Sequence, residues 1–274
     1  MLARQYEALK KSLGNDLEAR RIIEARTAYR WADIMAQPEA VIELQALALI
    51  ESDMQRRIAG EPLSRIYGMR EFWGREFALS PDTLDPRPET ELIIELALKR
   101  FKGMSPARIL DLGTGTGCIL ITLLAEFPDS TGVACDLSAG ALATARENAA
   151  RHGVESRAQF IESDWFSGVE GEFDLIVSNP PYIAESVIPT LAVEVKNHDP
   201  ILALQGGEDG LQAYRQIFSK LFLHLKPAGI ALFEIGFDQG EEVMRLSGES
   251  RIRQTRVHSD LAGLARVLEI SSET

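Results

Sequence analysis

The feature that most constrains the fold is a strand, a glycine turn and a helix in immediate succession. Residues 107–112 (ARILDL) predict a strand, and the unbroken apolar run at 173–178 predicts a strand buried on both faces. Residues 113–117 (GTGTG) supply the glycines of a tight turn. Residues 119–127 then predict a helix. Three further segments predict strands between helices, at 131–136, 157–161 and 173–178. Because strands that alternate with helices pair in parallel, the chain predicts an α/β fold with a mostly parallel sheet.

The spacing of the glycines disfavours a dinucleotide site. The G-x-G-x-x-G fingerprint requires a glycine at position 118, where the chain has Cys118, so a nicotinamide-dependent oxidoreductase is disfavoured. The pattern Asp-x-Gly-x-Gly-x-Gly instead resembles the beginning of class I S-adenosylmethionine (SAM) methyltransferases. This resemblance implies a SAM site at the turn, lined by Asp111, Gly113, Thr114, Gly115, Thr116 and Gly117.

Two more acidic residues follow predicted strands. Asp136 ends the strand at 131–136, and its carboxylate can accept hydrogen bonds from both hydroxyls of a ribose. Asp164 and Trp165 follow the strand at 157–161, where an acid can bind the adenine amino group and an indole can flank the ring. Each feature alone also fits a helix cap or a structural loop. Their order, each at the end of its own strand, favours one shared cofactor site.

The tetrapeptide Asn179-Pro180-Pro181-Tyr182 follows the strand at 173–178 directly. Two consecutive prolines remove two N–H donors, so the strand must stop there. The Asn179 side-chain oxygen and a proline carbonyl can accept both hydrogens of a planar –NH2 group, while Tyr182 stacks on its plane. We therefore predict that Asn179, Pro180 and Tyr182 are catalytic, and that the whole tetrapeptide binds substrate. Asn179 is also predicted to line the SAM site.

The rest of the chain predicts a second, smaller domain. Residues 1–67 predict helices, one of them opening at Pro38, and residues 70–79 predict a β-hairpin with a glycine turn. Residues 81–88 hold three prolines and predict an extended linker. The last predicted strands lie near 252–257 and 265–270.

Charge and cysteine content restrict the partners and the compartment. Residues 1–80 carry 12 basic and 12 acidic side chains, whereas the remainder carries 17 and 29. This acidic half is a poor match for a phosphate backbone and is compatible with a basic protein partner. Cys118 and Cys135 predict buried free thiols, which fits the cytoplasm. No apolar stretch reaches the length of a membrane span, and the histidines and cysteines show no metal-ligand spacing.

Nearly the whole chain resembles one family, the PrmC/HemK glutamine-N5 methyltransferases of peptide-chain release factors. The segments that carry this resemblance are 70–74 (REFWG), 86–91 (PRPETE), 111–117, 163–166 (SDWF), 179–182 and 204–211 (LQGGEDGL). Asp85 and Glu89 depart from the pattern, because the family usually has an aliphatic residue and an Asp there.

The resemblance implies a class I SAM-dependent methyltransferase fold, Rossmann-like, with a mostly parallel seven-stranded sheet and a small N-terminal helical domain. It implies three parts: a helical bundle at 1–69 that docks the release factor, a hairpin and linker at 70–88, and the methyltransferase domain at 89–274. The implied reaction is methylation of the glutamine of a class 1 release factor's Gly-Gly-Gln motif by SAM. A cytoplasmic monomer without a metal is expected.

Two alternatives remain from the residues. The same tetrapeptide serves amino-methylating nucleic-acid enzymes, so adenine-N6 or cytosine-N4 methylation of a flipped base is possible, although the acidic half and the lack of a recognisable nucleic-acid-binding module argue against it. A SAM-dependent sensor or assembly factor without turnover is the second alternative, and the intact tetrapeptide argues against it.

Overall fold

The computed structural model describes residues 1–249 and 254–271 of the 274-residue chain. These residues form two compact units. The smaller unit comprises Met1–Gly68 together with Val193–His198, and the larger comprises Met69–Ala192 and the chain from Asp199 onward. The hairpin predicted as part of a linker lies in the larger unit, and a short helix from the loop after residue 182 lies in the smaller one.

The α-helices of the described residues, in chain order, are α1 (Leu2–Leu13), α2 (Asp16–Arg26), α3 (Trp31–Ala36), α4 (Leu44–Ile58), α5 (Leu63–Tyr67), α6 (Glu91–Arg100), α7 (Cys118–Glu126), α8 (Ala139–Arg151), α9 (Val193–His198), α10 (Gln212–Lys220) and α11 (Gly240–Glu249). The strands are β1 (Met69–Phe72), β2 (Arg75–Ala78), β3 (Arg108–Leu112), β4 (Thr131–Asp136), β5 (Ala158–Glu162), β6 (Phe173–Ser178), β7 (Leu225–Glu234), β8 (Gln254–Ser259) and β9 (Ala265–Ser271).

The smaller unit packs amphipathic helices around a core that includes Leu9, Ile22 and Ile50. The predicted helix start at Pro38 is wrong, because α4 begins at Leu44. Residues 38–43 are not helical, since the carbonyl oxygens of Pro38 and Ala40 accept the N–H groups that begin α1. These backbone bonds satisfy donors that a helix start otherwise leaves unpaired.

The larger unit contains a two-stranded and a seven-stranded sheet. Strands β1 and β2 form the predicted hairpin, joined by Trp73 and Gly74. The large sheet has the order β5-β4-β3-β6-β7-β9-β8, parallel from β5 through β7, with β9 antiparallel to both its neighbours. This sheet confirms the predicted fold class. The predicted strand near 252–257 is β8, and residues 252 and 253 lie outside the described part of the chain.

Both faces of the large sheet are covered, as the apolar strands predicted. Ile109 and Leu175 enter one core with α6 and α7, whereas Leu110 and Ile176 enter a second core with α10 and α11. The alternation follows from the two-residue period of a strand. After β3 the chain adds β4 and then β5 on one side of β3, and it then crosses back to add β6 on the other side. Open α/β sheets bind ligands at such a reversal, outside the carboxyl ends of the strands. None of the described helices combines the length and apolar character that crossing a bilayer requires.

Candidate active site

A cavity of about 440 Å³ opens in the larger unit at the carboxyl ends of β3, β4, β5 and β6. Nine of the residues predicted for the site line it: Gly113, Thr114, Gly115, Thr116, Asp136, Asp164, Trp165, Asn179 and Pro181. Four predicted residues do not line it: Asp111, Gly117, Pro180 and Tyr182. The structure therefore brings most of the predicted residues to one cavity and places the other four outside its lining.

The glycine turn is tied to the neighbouring strand. The backbone N–H groups of Gly113 and Thr114 donate to the carbonyl oxygen of Cys135, at 2.9 and 3.0 Å. Gly117 is needed for helix packing, because a Cβ there would stand 2.7 Å from Ile121 and 3.2 Å from Ala145. The turn thus holds its backbone against the cavity while α7 packs closely on α8.

Asp111 supports this turn from within the core. The Thr114 hydroxyl donates to Oδ2 of Asp111 at 2.7 Å, and the buried Oδ1 has no hydrogen-bond partner among the described residues. Burial raises the pKa of Asp111 to about 7, because the surroundings disfavour the charged form. Asp111 therefore affects the cavity indirectly, through its hydrogen bond to Thr114, which lines the cavity.

Asp136 faces the cavity with both carboxylate oxygens already oriented. Oδ2 accepts the N–H of Gly115 and Oδ1 accepts the N–H of Ser138, both at 2.9 Å. Burial raises the pKa of Asp136, and the backbone donors oppose that rise. Each oxygen can accept a further hydrogen bond, so the carboxylate can bind a vicinal diol.

Trp165 is held in a backbone conformation that bulky residues rarely adopt, with φ of 50°. Its carbonyl oxygen accepts the Ser163 hydroxyl at 2.8 Å and the Cys135 thiol at 3.4 Å. Its indole Nε1 donates to Oε1 of Gln216 at 2.7 Å. Such strained residues concentrate at ligand sites, and these bonds fix the indole in the cavity wall.

The Asn-Pro-Pro-Tyr corner connects the cavity to the core of the larger unit. Nδ2 of Asn179 donates to Oγ1 of Thr90 at 3.1 Å, and the Thr90 hydroxyl donates to Oε2 of Glu234 at 2.5 Å. The Tyr182 hydroxyl donates to Oε1 of Glu234 at 3.2 Å. Pro180 is buried and Tyr182 is half-buried. No hydrogen bond within the described part of the chain occupies Oδ1 of Asn179.

The glycine-rich segment 204–211 buttresses this corner. The N–H of Gly206 donates to the carbonyl oxygen of Ile183 at 2.8 Å, and a Cβ at Gly206 would stand 2.8 Å from the carbonyl oxygen of Pro181. A Cβ at Gly210 would overlap the carbonyl oxygen of Tyr182. The two glycines therefore allow a close approach that other residues would prevent.

Sequence reasoning missed Thr90 and Glu234. Glu234 ends the apolar strand β7 at the same edge of the sheet where Asp136 ends β4. A single polar residue at the end of an apolar strand was therefore a usable signal for Glu234. Thr90 precedes α6 and lies within the segment 86–91 (PRPETE) that carries the family resemblance, so that segment was the usable signal for Thr90.

The proline linker fixes one rim of the cavity. Nη2 of Arg87 donates to Oδ2 of Asp199 at 2.6 Å, and the N–H of Asp85 donates to Oδ1 of Asp199 at 3.3 Å. The unusual Asp85 is itself paired with Arg70, whose Nε lies 3.4 Å from Oδ1 of Asp85. Asp199 precedes residues 201–203, which line the cavity, so the linker determines where this rim lies.

The two cysteines are buried free thiols, as predicted. Cys118 lines the cavity, and burial raises the pKa of each thiol to about 12. Both groups therefore stay protonated and are poor nucleophiles at neutral pH.

Comparisons with known proteins agree with this architecture. A family model described as "PrmC N-terminal domain" matches residues 1–68, and one described as "Methyltransferase small domain" matches residues 80–198. The release factor glutamine methyltransferase of Agrobacterium fabrum is 43% identical over 256 residues, which cover 92% of this chain and 89% of that protein. That of Cereibacter sphaeroides is 46% identical over 251 residues, with coverage of 92% and 89%. A solved methyltransferase from Pyrococcus furiosus shares the fold, with a TM-score of 0.57 over 82% of this chain and 100% of that chain, at 16% identity.

Proposed function

The chain belongs to the family of release factor glutamine methyltransferases, and from this premise we propose the following activity. The protein transfers a methyl group from SAM to the side-chain amide nitrogen (N5) of the glutamine in the Gly-Gly-Gln motif of class 1 release factors. The N–CH3 bond would form as the sulfonium–CH3 bond breaks, S-adenosylhomocysteine would leave with the bonding electron pair, and one amide proton would pass to solvent. The observation that carries the proposal is the free Oδ1 of Asn179 in the wall of the cavity that Asp136 and the glycine turn also line.

The residues of the cavity fit SAM. Its volume of about 440 Å³ lies in the range of small-molecule sites. Asp136 would hold the ribose diol, Asp164 and Trp165 the adenine, and the glycine turn the methionine portion. When bound, SAM supplies an electrophilic methyl group on a positively charged sulfonium. Because Asp136 already accepts two backbone N–H groups, its carboxylate is oriented before any ligand binds.

The tetrapeptide would act on the glutamine. An amide nitrogen is a poor nucleophile because its lone pair is delocalised into the carbonyl group. Oδ1 of Asn179 in the cavity wall would accept one amide hydrogen and the carbonyl oxygen of Pro180, a buried residue next to that wall and outside the cavity lining, would accept the other, which returns electron density to the nitrogen. The ring of Tyr182 would lie against the amide plane, which would fix the direction of attack. Orientation and polarisation of the amide are then the main contributions of the protein.

A mass-spectrometric methylation assay tests the proposal. The protein is incubated with SAM and a bacterial class 1 release factor, with duplex DNA and bulk RNA as parallel substrates. We expect the release factor to gain one methyl group on the glutamine of its Gly-Gly-Gln motif. Methyl transfer to nucleic acid without transfer to the release factor would reassign the substrate. No transfer to any substrate would favour the sensor alternative, and calorimetry would then measure SAM binding.

We further propose that residues 1–69 dock the release factor, and that the protein works as a monomer in the cytoplasm, where its substrate acts. The smaller unit supports docking because it exposes large apolar side chains, including Val41 at 77% and Leu44 at 85% exposure. Isolated apolar side chains on a surface are ordinary, and the larger unit exposes some as well, but Val41, Leu44 and Leu49 are all exposed within nine residues of chain, which favours a protein partner.

A further inference from the structure

The hydrogen bonds behind Asn179 suggest a role for Thr90 that rests on the proposed function. We propose that Thr90 is a positioning residue. Its hydroxyl oxygen accepts a hydrogen bond from Nδ2 of Asn179, and Oδ1 of Asn179 is thereby left facing the glutamine amide of the substrate. Thr90 lines the cavity beside Asn179, whereas Glu234 lies behind Thr90 and does not line it. Thr90 is 2% exposed and Glu234 is 1% exposed.

The direction of the hydrogen bonds follows from the ionisation of Glu234. Burial raises the pKa of Glu234 to about 7, and above that pH the ionised carboxylate has no proton to donate, so the single hydroxyl proton of Thr90 must point to Oε2 of Glu234. The Thr90 oxygen can then only accept from Asn179. The –NH2 end of the Asn179 amide must therefore face Thr90, at 3.1 Å from Nδ2 to Oγ1. The reversed amide would present hydrogens to the substrate –NH2 group and could not polarise it.

Besides its hydrogen bonds to Glu234 and Asn179, this hydroxyl does not serve as a helix cap. Thr90 ends a 3-10 turn (Pro88–Thr90) that continues directly into α6, with helical φ of −64° and ψ of −21°, and its side chain makes no capping hydrogen bond. Its carboxylate partner is also a poor choice for stability, because an apolar side chain would bury more favourably at the end of β7. A buried series of hydrogen bonds that ends at the cavity, from Glu234 through Thr90 to Asn179, is instead what a precisely oriented acceptor atom requires.

The first test observes the Asn179 amide in the cofactor-free protein by NMR. With asparagine labelled with ¹⁵N, the side-chain –NH2 signals come from four residues: Asn15, Asn148, Asn179 and Asn197. The spectra are recorded above the pKa of Glu234, which burial raises to about 7. We expect slow exchange with water for one Asn179 proton in wild type and Thr90→Ser, and exchange at least about tenfold faster in Thr90→Val.

Asn148 is the internal reference for this experiment. Its Nδ2 donates to the carbonyl oxygens of Ala78 and Thr116, at 3.1 and 2.9 Å, and not to Thr90. Its exchange should be the same in all three proteins. Equal exchange of the Asn179 protons in the valine and serine variants would overturn the proposal, even if the valine variant were less stable.

The second test separates positioning from a structural role by kinetics. We expect Thr90→Val to lower kcat by about tenfold to a hundredfold, with the KM for the release factor and the SAM affinity within about threefold of wild type. Thr90→Ser should keep kcat within about threefold, because it retains the hydroxyl. In an Asn179→Ala background, Thr90→Val should have no further effect on kcat, because no amide remains to be oriented.

A Thr90→Val effect of equal size in both backgrounds would show a structural role and contradict the proposal. The tests also distinguish this proposal from the proposed function. A wild-type protein that failed to methylate the release factor would refute the proposed function. The proton exchange of Asn179 would still decide the orientation of its amide, because that experiment requires neither SAM nor a release factor.

Discussion

At the scale of single residues, the cavity edge concentrates carboxyl groups in poorly solvated positions. Asp111 and Glu234 are buried at the carboxyl ends of β3 and β7, and burial raises the pKa of both to about 7. Burial raises the pKa of Asp136 as well. Strongly shifted pKa values cluster at functional sites, and here all three belong to the same edge of the sheet.

Removal of the Asn179 amide should affect turnover more than cofactor binding. We expect Asn179→Ala to lower kcat by about a hundredfold or more, because the substrate amide loses one of its two acceptors. SAM should still bind, with weaker affinity. Methylation kinetics and calorimetry measure the two effects, with Gln159→Ala as the control because Gln159 is an exposed amide of the larger unit that does not line the cavity. Full activity of Asn179→Ala would refute the proposed mechanism.

Glu234 should make the unfolding free energy depend on pH. Its pKa is raised from 4.5 to about 7 in the folded protein, so the folded state binds more protons than the unfolded state between these values. Stability should therefore fall as pH rises through this range and stay low above it. The titratable groups that interact with Glu234 are Glu89, Cys118, Tyr182, Tyr214 and Arg266.

Denaturant unfolding between pH 5 and pH 8 measures this dependence. We expect Glu234→Gln to reduce the fall in unfolding free energy by an amount on the order of 3 kcal/mol. Asp111, whose pKa is also raised, should account for the dependence of unfolding free energy on pH that remains. The exposed Glu241→Gln is the matched control. An unchanged slope in Glu234→Gln would show that Glu234 does not bind the proton.

At the scale of elements, four neighbouring parallel strands each carry their own part of the cavity. The glycine turn follows β3, Asp136 ends β4, Asp164 follows β5 and Asn179 follows β6. The parallel arrangement places these carboxyl ends at one edge. The segment 204–211 then closes on the corner after β6, because glycines leave room for its backbone.

A side chain at position 210 should disturb this corner. Gly210 has φ of 76°, and an added Cβ would meet the carbonyl oxygen of Tyr182 and Nε2 of Gln239. We expect Gly210→Ala to lower stability by about 2–4 kcal/mol and to reduce kcat, because the corner must shift. Gly153→Ala is the control, since Gly153 has φ of 67° but nothing within 4 Å of an added Cβ. Denaturant unfolding of both variants separates the effect of backbone strain from that of steric overlap with Tyr182 and Gln239. An equal loss of unfolding free energy in the two variants would contradict the expectation.

At the scale of the whole molecule, the chain divides its tasks between two units. The larger unit holds the cavity, and the smaller unit exposes apolar side chains in α4 and in the residues just before it. The helix α9 interrupts the segment that joins the tetrapeptide corner to the cavity rim, and it belongs to the smaller unit. The unit proposed to dock the substrate thus includes residues from both sides of the catalytic tetrapeptide in sequence.

Docking by the smaller unit should be visible in the Michaelis constant. We expect Leu44→Ser to raise the KM for a full-length release factor about tenfold, the equivalent of about 1.4 kcal/mol, without changing kcat. The KM for a short peptide that contains Gly-Gly-Gln should not change. Met104→Ser, at an apolar residue of the larger unit that is 62% exposed, is the control. Equal effects of Leu44→Ser on both substrates would exclude docking at this position.

The sequence alone determined the fold class and most of the cavity lining. Apolar runs, glycines and prolines act on the nearest few residues of backbone, so the strands, the glycine turn and the stop after β6 could be predicted from them. Asp136 and Asn179 could be predicted for the same reason, because each is adjacent to a strand end. The predicted helix start at Pro38 was wrong because N–H groups of α1, distant in sequence, donate to the carbonyl oxygens of Pro38 and Ala40.

Only the tertiary structure decided which side chains meet across the sheet. Thr90, Asn179 and Glu234 are far apart in sequence, and their hydrogen bonds exist because α6, β6 and β7 converge at one edge. The same convergence turned the Tyr182 hydroxyl to Glu234 and placed Pro180 outside the cavity lining. Local sequence patterns carry no information on such long-range partners, because the partners are fixed by how the elements pack rather than by the residues on either side.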